Sequence, residues 1–114
     1  MPATLESLHT ANGDRIAQLR FERIAEKIER KPELLEIPLA NIARWLAKGH
    51  TAHERLEGWQ RIIAEARDSE AGLARLCGLL RADDASSNQW KAFSPFAGVL
   101  TRDELDGLRW TLRH

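Results

Sequence analysis

Hydrophobic residues recur every three to four positions along most of the chain, and no stretch sustains the strict alternation of a β-strand. That spacing places apolar side chains on one face of an α-helix. It predicts five long helices over residues 14–31, 32–48, 52–67, 69–81 and 101–113, with a short helix that carries Trp90 and Phe93. The core-facing stripe of the first helix comprises Ala17, Phe21, Ile24 and Ile28, and that of the last comprises Leu105, Leu108 and Leu112. Short connections between such helices are typical of a bundle. We therefore expect an all-α protein, a compact single-domain helical bundle of about five helices over residues 14–114, after a partly ordered extension of residues 1–13.

Residues that start or end helices refine these boundaries. Pro38 falls inside the second predicted helix and, because proline lacks an N–H, it should kink that helix or split it in two. Gly49 follows the last apolar position and suits the left-handed turn that ends a helix. A Ser or Thr followed three residues later by Glu or Gln can cap a helix start. Three pairs have this spacing: Thr51 with Glu54, Ser86 with Gln89, and Thr101 with Glu104.

The composition is that of a folded protein, with 43% hydrophobic and 30% charged residues among 114. Seventeen basic residues balance 17 acidic ones. Nucleic acid is thus an improbable ligand, because DNA-binding domains usually carry excess positive charge, whereas neutrality permits homo-oligomers. The lone Cys77 and the lack of an apolar leader predict a cytoplasmic protein. The longest uncharged stretch is far too short for a membrane span.

The chain offers little for catalysis, so we predict no enzyme, no cofactor and no metal. His50 and His53 are three residues apart, but zinc normally needs a third protein ligand, and two exposed histidines are the simpler interpretation. Cys77 lies among leucines, where a thiol is inert, so it is predicted to be a small core residue. The glycines are scattered and form no phosphate-binding loop.

The first long helix carries charged side chains at helical spacing. One ridge is basic and a neighbouring one is acidic, and Glu26 with Arg30 has the favourable order for an ion pair four residues apart. These ridges either dock an acidic partner or RNA, or form a solvated face with weak ion pairs. The basic ridge comprises Arg20, Arg23, Lys27 and Arg30, and the acidic ridge comprises Glu22, Glu26 and Glu29.

Residues 92–100 form the most informative segment, because they carry no charge and yet contain a proline and a glycine that deny a regular helix. Loops are usually polar. An apolar loop either folds over the open end of its own bundle or inserts into another protein. Nearby tryptophans either cover bundle edges or anchor an interface, whereas Trp59 falls on a predicted core stripe. The predicted partner-binding residues are Trp90, Phe93, Pro95, Phe96, Val99, Leu100 and Trp110.

Three sequence features resemble a family of small bacterial helical proteins. They are the tail motif Ser-Pro-Phe-Ala-Gly-Val-Leu-Thr over residues 94–101, the stretch Leu-Ala-Asn-Ile-Ala-Arg-Trp over residues 39–45, and a tryptophan one helix later, Trp59. The resemblance covers about residues 15–108. It implies pairing with a nucleotidyltransferase-like toxin, with this chain as the antitoxin, and it transfers no functional residue.

Together these features favour a non-enzymatic antitoxin that binds and neutralises a partner toxin by direct contact. Two alternatives stay open: a nucleic-acid-binding transcriptional regulator, and an adaptor of a phage or mobile element that binds a host factor. The net charge of zero argues against the regulator.

Overall fold

A computed structural model describes the backbone of residues 3–113 and the side chains of residues 15–108. In that range the chain forms α1 Ala3–Arg30, α2 Glu36–Ala47, α3 His53–Asp68, α4 Glu70–Arg81, α5 Ala85–Lys91 and α6 Arg102–Arg113, with a 3₁₀ turn at Pro32–Leu35. α4 packs against both α1 and α3, α2 packs on α3, and α6 packs on α1. The predicted all-α single-domain bundle is confirmed, with six helices rather than about five. None of the helices, over the residues described, is long and apolar enough to cross a bilayer.

α1 is longer than predicted, because it begins at Ala3 and continues through Gly13 and Asp14. The predicted start near Asp14 relied on the preference of these two residues for helix ends, and it is wrong. A single glycine costs a helix interior only about 1 kcal/mol, which the rest of the helix can offset. The predicted apolar face is the buried one, since Phe21, Ile24 and Ile28 all lie in the core.

The second predicted helix is divided, in agreement with the expectation for Pro38. A 3₁₀ turn covers Pro32–Leu35, and α2 begins at Glu36. Pro38 then stands in the first turn of α2, where a backbone N–H would have no partner inside the helix. At the other end Gly49 adopts a φ of 72°, which a glycine tolerates easily and which ends the helix as predicted.

The capping pair predicted for the last helix is confirmed. The N–H of Thr101 donates to Oε1 of Glu104 at 2.8 Å, and the N–H of Glu104 donates to Oγ1 of Thr101 at 3.2 Å. The predicted start of α4 is confirmed too, since the N–H of Gly72 donates to Oγ of Ser69 at 2.9 Å. Both helices therefore begin where their local sequence directs.

The other two predicted caps are wrong. At α3 the Thr51 pair makes no side-chain cap, and the N–H of Ala52 donates instead to Nδ1 of His50 at 3.0 Å. At α5 the cap is not Ser86 but Asp84, whose carboxylate accepts from the N–H of Ser87 at 2.8 Å. These hydrogen bonds hold the pKa of Asp84 below its ordinary value. A carboxylate at a helix start is also favoured by the helix dipole, and this explains the choice.

A continuous apolar core joins the helices, and Trp59 lies at its centre with no exposed surface, as predicted. The core also contains Ile42, Leu56, Ile63, Leu76 and Leu80. Cys77 is buried among these residues. Burial, with a smaller effect from the Glu29 carboxylate, raises the pKa of the Cys77 thiol to about 11. The thiol is therefore protonated at neutral pH, in line with its predicted role as a core residue.

Candidate partner-binding surface

Residues 92–100 fold back onto the chain's own core. Phe96 is 3% exposed, Val99 is 1% exposed and Leu100 is 7% exposed, and Pro95 is fully enclosed. Of the two alternatives for this segment, the structure shows the first, in which it folds over its own bundle, so the prediction that these four side chains contact a partner is corrected here. The open end of the bundle offers them an apolar surface, and burial there removes them from water without any partner.

Two core side chains fasten the backbone of this segment. Nδ2 of Asn41, a buried side chain of α2, donates to the carbonyl oxygens of Pro95 at 2.8 Å and Ala97 at 2.9 Å. Nε1 of Trp59 in α3 donates to the carbonyl oxygen of Phe93 at 2.8 Å. A buried non-helical backbone needs partners for its polar groups. Asn41 and Trp59 supply them and hold the segment against the bundle.

A third fastening joins the segment to both α1 and α6. Nζ of Lys27 donates to the carbonyl oxygen of Val99 at 2.8 Å and to Oε1 of Glu104 at 2.6 Å. The hydrogen bond from Lys27, helped by the N–H of Thr101, lowers the pKa of Glu104 to about 2. The ionised Glu104 carboxylate is thus part of what keeps α6 in place.

Acid should weaken this fastening. The pKa of Glu104 is lower in the folded chain than in the unfolded one, so its contribution is complete above about pH 4.5 and is lost as the pH falls toward 2. Because the pair is partly exposed, we expect Glu104→Gln to lose about 1 kcal/mol of unfolding free energy near neutral pH. The difference between wild type and variant, measured by urea unfolding, should shrink as the pH falls to about 3. A difference independent of pH would contradict this role.

Two of the predicted contact residues, Trp90 and Phe93, keep part of their surface in water. The Phe93 ring lies 6.1 Å from the Trp45 ring and 5.2 Å from the His50 ring, centroid to centroid. The guanidinium of Arg55 lies 5.0 Å from the Trp90 ring centroid. We name Trp45, His50, Trp90 and Phe93, which are all half-buried, the aromatic patch.

Trp90, one member of the aromatic patch, is closely packed on its inner side. Trp90 meets the core tryptophan, Trp59, edge to face at 5.5 Å between centroids. It also lies directly on the backbone of α3, where a Cβ added at Gly58 would stand 2.7 Å from the Trp90 ring. Arg55 stacks on the outer side and donates to the carbonyl oxygen of Gln89 at 2.7 Å. Packing of this kind fixes the orientation of the Trp90 side chain.

α6 departs from prediction in its apolar face. Leu108 is buried, but Leu105 is 38% exposed, so the expectation that Leu105 faces the core is wrong. The first turn of α6 is held by hydrogen bonds that Glu104 forms with Lys27 and Thr101. The side chain of Trp110, also a predicted contact residue, lies outside the described side chains.

The other candidate groups do not assemble a reactive centre. Among the described residues no three His, Cys, Asp or Glu side chains come together as metal ligands. His53 is exposed as expected, whereas His50 is half-buried within the aromatic patch. In the charged ridges Glu26 pairs with Arg23 at 3.1 Å rather than with Arg30.

Sequence reasoning missed the buried polar side chains of Asn41 and Lys91. Asn41 stands between apolar positions of α2, and that placement was a usable signal that it serves the core. Lys91 is 6% exposed, and its Nζ donates to Oε1 of Gln18 and to the carbonyl oxygens of Leu80 and Ala82. These carbonyls lie at the end of α4, where a cation is favoured. Burial lowers the pKa of Lys91, opposed by nearby carboxylates.

Comparison of the chain with models of known protein families, with curated proteins and with solved structures gave no match. The structure does bring together the three sequence features that carry the family resemblance. Asn41 binds the tail motif, Nη2 of Arg44 donates to Oδ1 of Asn41, and Trp59 binds the carbonyl oxygen just before the motif. Their shared presence thus has a structural reason of its own.

Proposed function

We propose that this protein is a non-enzymatic, antitoxin-like module that binds a partner protein through the aromatic patch. The observation that carries the proposal is the patch itself. The rings of Trp45, His50 and Phe93 pack against one another, and half-buried Trp90 packs on α3 three residues before Phe93. Tryptophan and arginine are the side chains most enriched where alanine substitution weakens protein complexes. The patch presents two tryptophans with Arg55 at its edge.

The chemistry of the patch favours a protein ligand over a nucleic acid. A net charge of zero supplies little attraction for phosphate, and Arg55 is engaged with Trp90 and the backbone of Gln89. Large amphipathic rings, in contrast, bury much area with little loss of side-chain freedom. The family resemblance supplies the class of partner, a nucleotidyltransferase-like toxin.

The test is co-expression of the full chain with the product of the adjacent gene, followed by size-exclusion chromatography and calorimetric titration. Phe93→Ala and Trp90→Ala should each weaken the complex by about tenfold or more, because each removes a ring from the contact. Leu79→Ala is the matched control. Leu79 is also half-buried and apolar, but it lies on α4 outside the patch, and its loss should leave affinity unchanged.

Thermal melts of each variant establish that it is folded before binding is compared. Folded patch variants that bind the partner as tightly as wild type would exclude the aromatic patch as the contact. Absence of any complex would argue against the antitoxin assignment. A gel shift on DNA that weakens steeply between low and high salt would instead support the regulator alternative.

A further inference from the structure

A groove separate from the aromatic patch runs between α1, the tail motif and the start of α6. Its volume is about 300 Å³, and its floor is apolar, formed by Phe21, Ile24, Phe96 and Leu100. Leu105 stands in its wall with 38% of its surface exposed, one of two large hydrophobic side chains so exposed in the described part of the chain. An exposed leucine beside an apolar floor offers surface that a partner can bury.

The groove carries unneutralised positive charge at one end. Arg20 lines it, and the guanidinium lies 5.3 Å from the centroid of the Phe21 ring. Its neighbours on the basic ridge are engaged, Arg23 with Glu26 and Lys27 with Glu104. Arg20 forms no ion pair with any described side chain. It is therefore free to receive a carboxylate from outside the chain.

A second cavity continues the groove past Arg20. It measures about 540 Å³, shares Arg20 and Phe21 with the first, and is lined by Gln18, Asp83 and Lys91. The Lys91 ammonium is bonded to neutral oxygens, while Asp83 accepts a hydrogen bond from Asn88. Lys91 is buried and three carboxylates act on it, those of Asp83, Asp84 and Glu22. Among the described side chains that line this end of the groove, Arg20 is therefore the cation that can attract a negatively charged ligand.

We propose that this groove is a second docking site, which takes an acidic amphipathic helix of a partner protein. A large apolar side chain of the helix would pack against Leu105, and a Glu or Asp one turn away would pair with Arg20. Helices bind apolar grooves in this manner through anchors three and four residues apart. The inference does not depend on the aromatic patch, since the two surfaces share no residue.

The test uses two synthetic 15-residue helical peptides that share a leucine face and differ only in carrying Glu or Lys one turn from the central leucine. Each is titrated into the full ¹⁵N-labelled chain. The Glu peptide should shift the amides of Phe21, Ile24 and Leu105 and bind about fivefold or more tightly than the Lys peptide, consistent with about 1 kcal/mol for an ion pair. Arg20→Gln should abolish that preference. Arg61→Gln, an exposed arginine of α3, is the matched control and should retain it.

Since Arg20 and Arg61 are both exposed, these variants should fold, and their ¹⁵N spectra report it directly. Leu105→Ser provides a second readout, because it should weaken both peptides alike without altering the preference for Glu. Equal binding of the Glu and Lys peptides, no shifts at millimolar peptide, or shifts confined to the aromatic patch would each overturn the proposal.

Discussion

Replacing Trp59 with alanine should lower the unfolding free energy of the chain by about 4 kcal/mol or more. Large aromatic-to-alanine changes in cores cost about 3–5 kcal/mol. Here the indole also donates to the carbonyl oxygen of Phe93 and meets the Phe96 ring edge to face at 5.3 Å. Removing the ring leaves a cavity and a buried carbonyl without its partner. Small domains have an unfolding free energy of only about 5–15 kcal/mol, so Trp59→Ala should remove a large fraction of it.

The two contributions of Trp59 can be separated. Trp59→Phe keeps an aromatic ring and removes the N–H, so it should lose about 1–3 kcal/mol, the cost of an unsatisfied buried acceptor. Urea unfolding followed by circular dichroism measures both variants on one scale. A loss below about 1 kcal/mol for Trp59→Ala would contradict the assignment of this side chain to the centre of the core.

Asn41→Ala should produce the second largest loss, about 2–4 kcal/mol. The Asn41 side chain is 7% exposed and donates to two carbonyl oxygens of the tail motif, those of Pro95 and Ala97. Each buried acceptor left without a donor costs about 1–3 kcal/mol. Asn41→Asp should be at least as harmful. A carboxylate has the same shape as the amide but cannot donate, so its oxygen would face the carbonyl oxygens of Pro95 and Ala97.

An exposed asparagine gives the matched control for this prediction. Nδ2 of Asn88 in α5 donates to Oδ1 of Asp83 on the surface, so Asn88→Ala should change the unfolding free energy by less than about 0.5 kcal/mol. Chemical denaturation of all three variants makes the comparison. Equal losses for Asn41→Ala and Asn88→Ala would mean that the buried hydrogen bonds do not hold the segment.

Much of the fold was predictable because helix signals are local. The apolar spacing of α1 identified Phe21, Ile24 and Ile28 as a buried face, and the Thr101 pair located the start of α6. The Thr51 pair is misleading as a signal, because α3 begins at His53 and Ala52, not Thr51, occupies the capping position. The N–H of Ala52 donates to Nδ1 of His50.

The candidate site was harder to predict because its outcome depends on contacts distant in sequence. Apolar composition indicated that residues 92–100 must be covered, but nothing local distinguishes coverage by the bundle from coverage by a partner. The decision rests on Asn41 and Trp59, which lie more than thirty residues earlier and reach the segment only in the folded chain. Trp90 and Phe93 are only half-buried, so part of each ring stays exposed on the surface of the bundle.

Hydrogen exchange at the Val99 amide tests most directly whether the tail motif belongs to the core of this protein. That N–H donates to the carbonyl oxygen of Phe96 at 3.1 Å, in a segment that Asn41 fastens to α2. In the wild type it should exchange as slowly as the core amides of α3, and Asn41→Ala should accelerate it more than it accelerates α3. Exchange of the wild-type Val99 amide at the rate of an unfolded peptide, while α3 stays protected, would contradict the account.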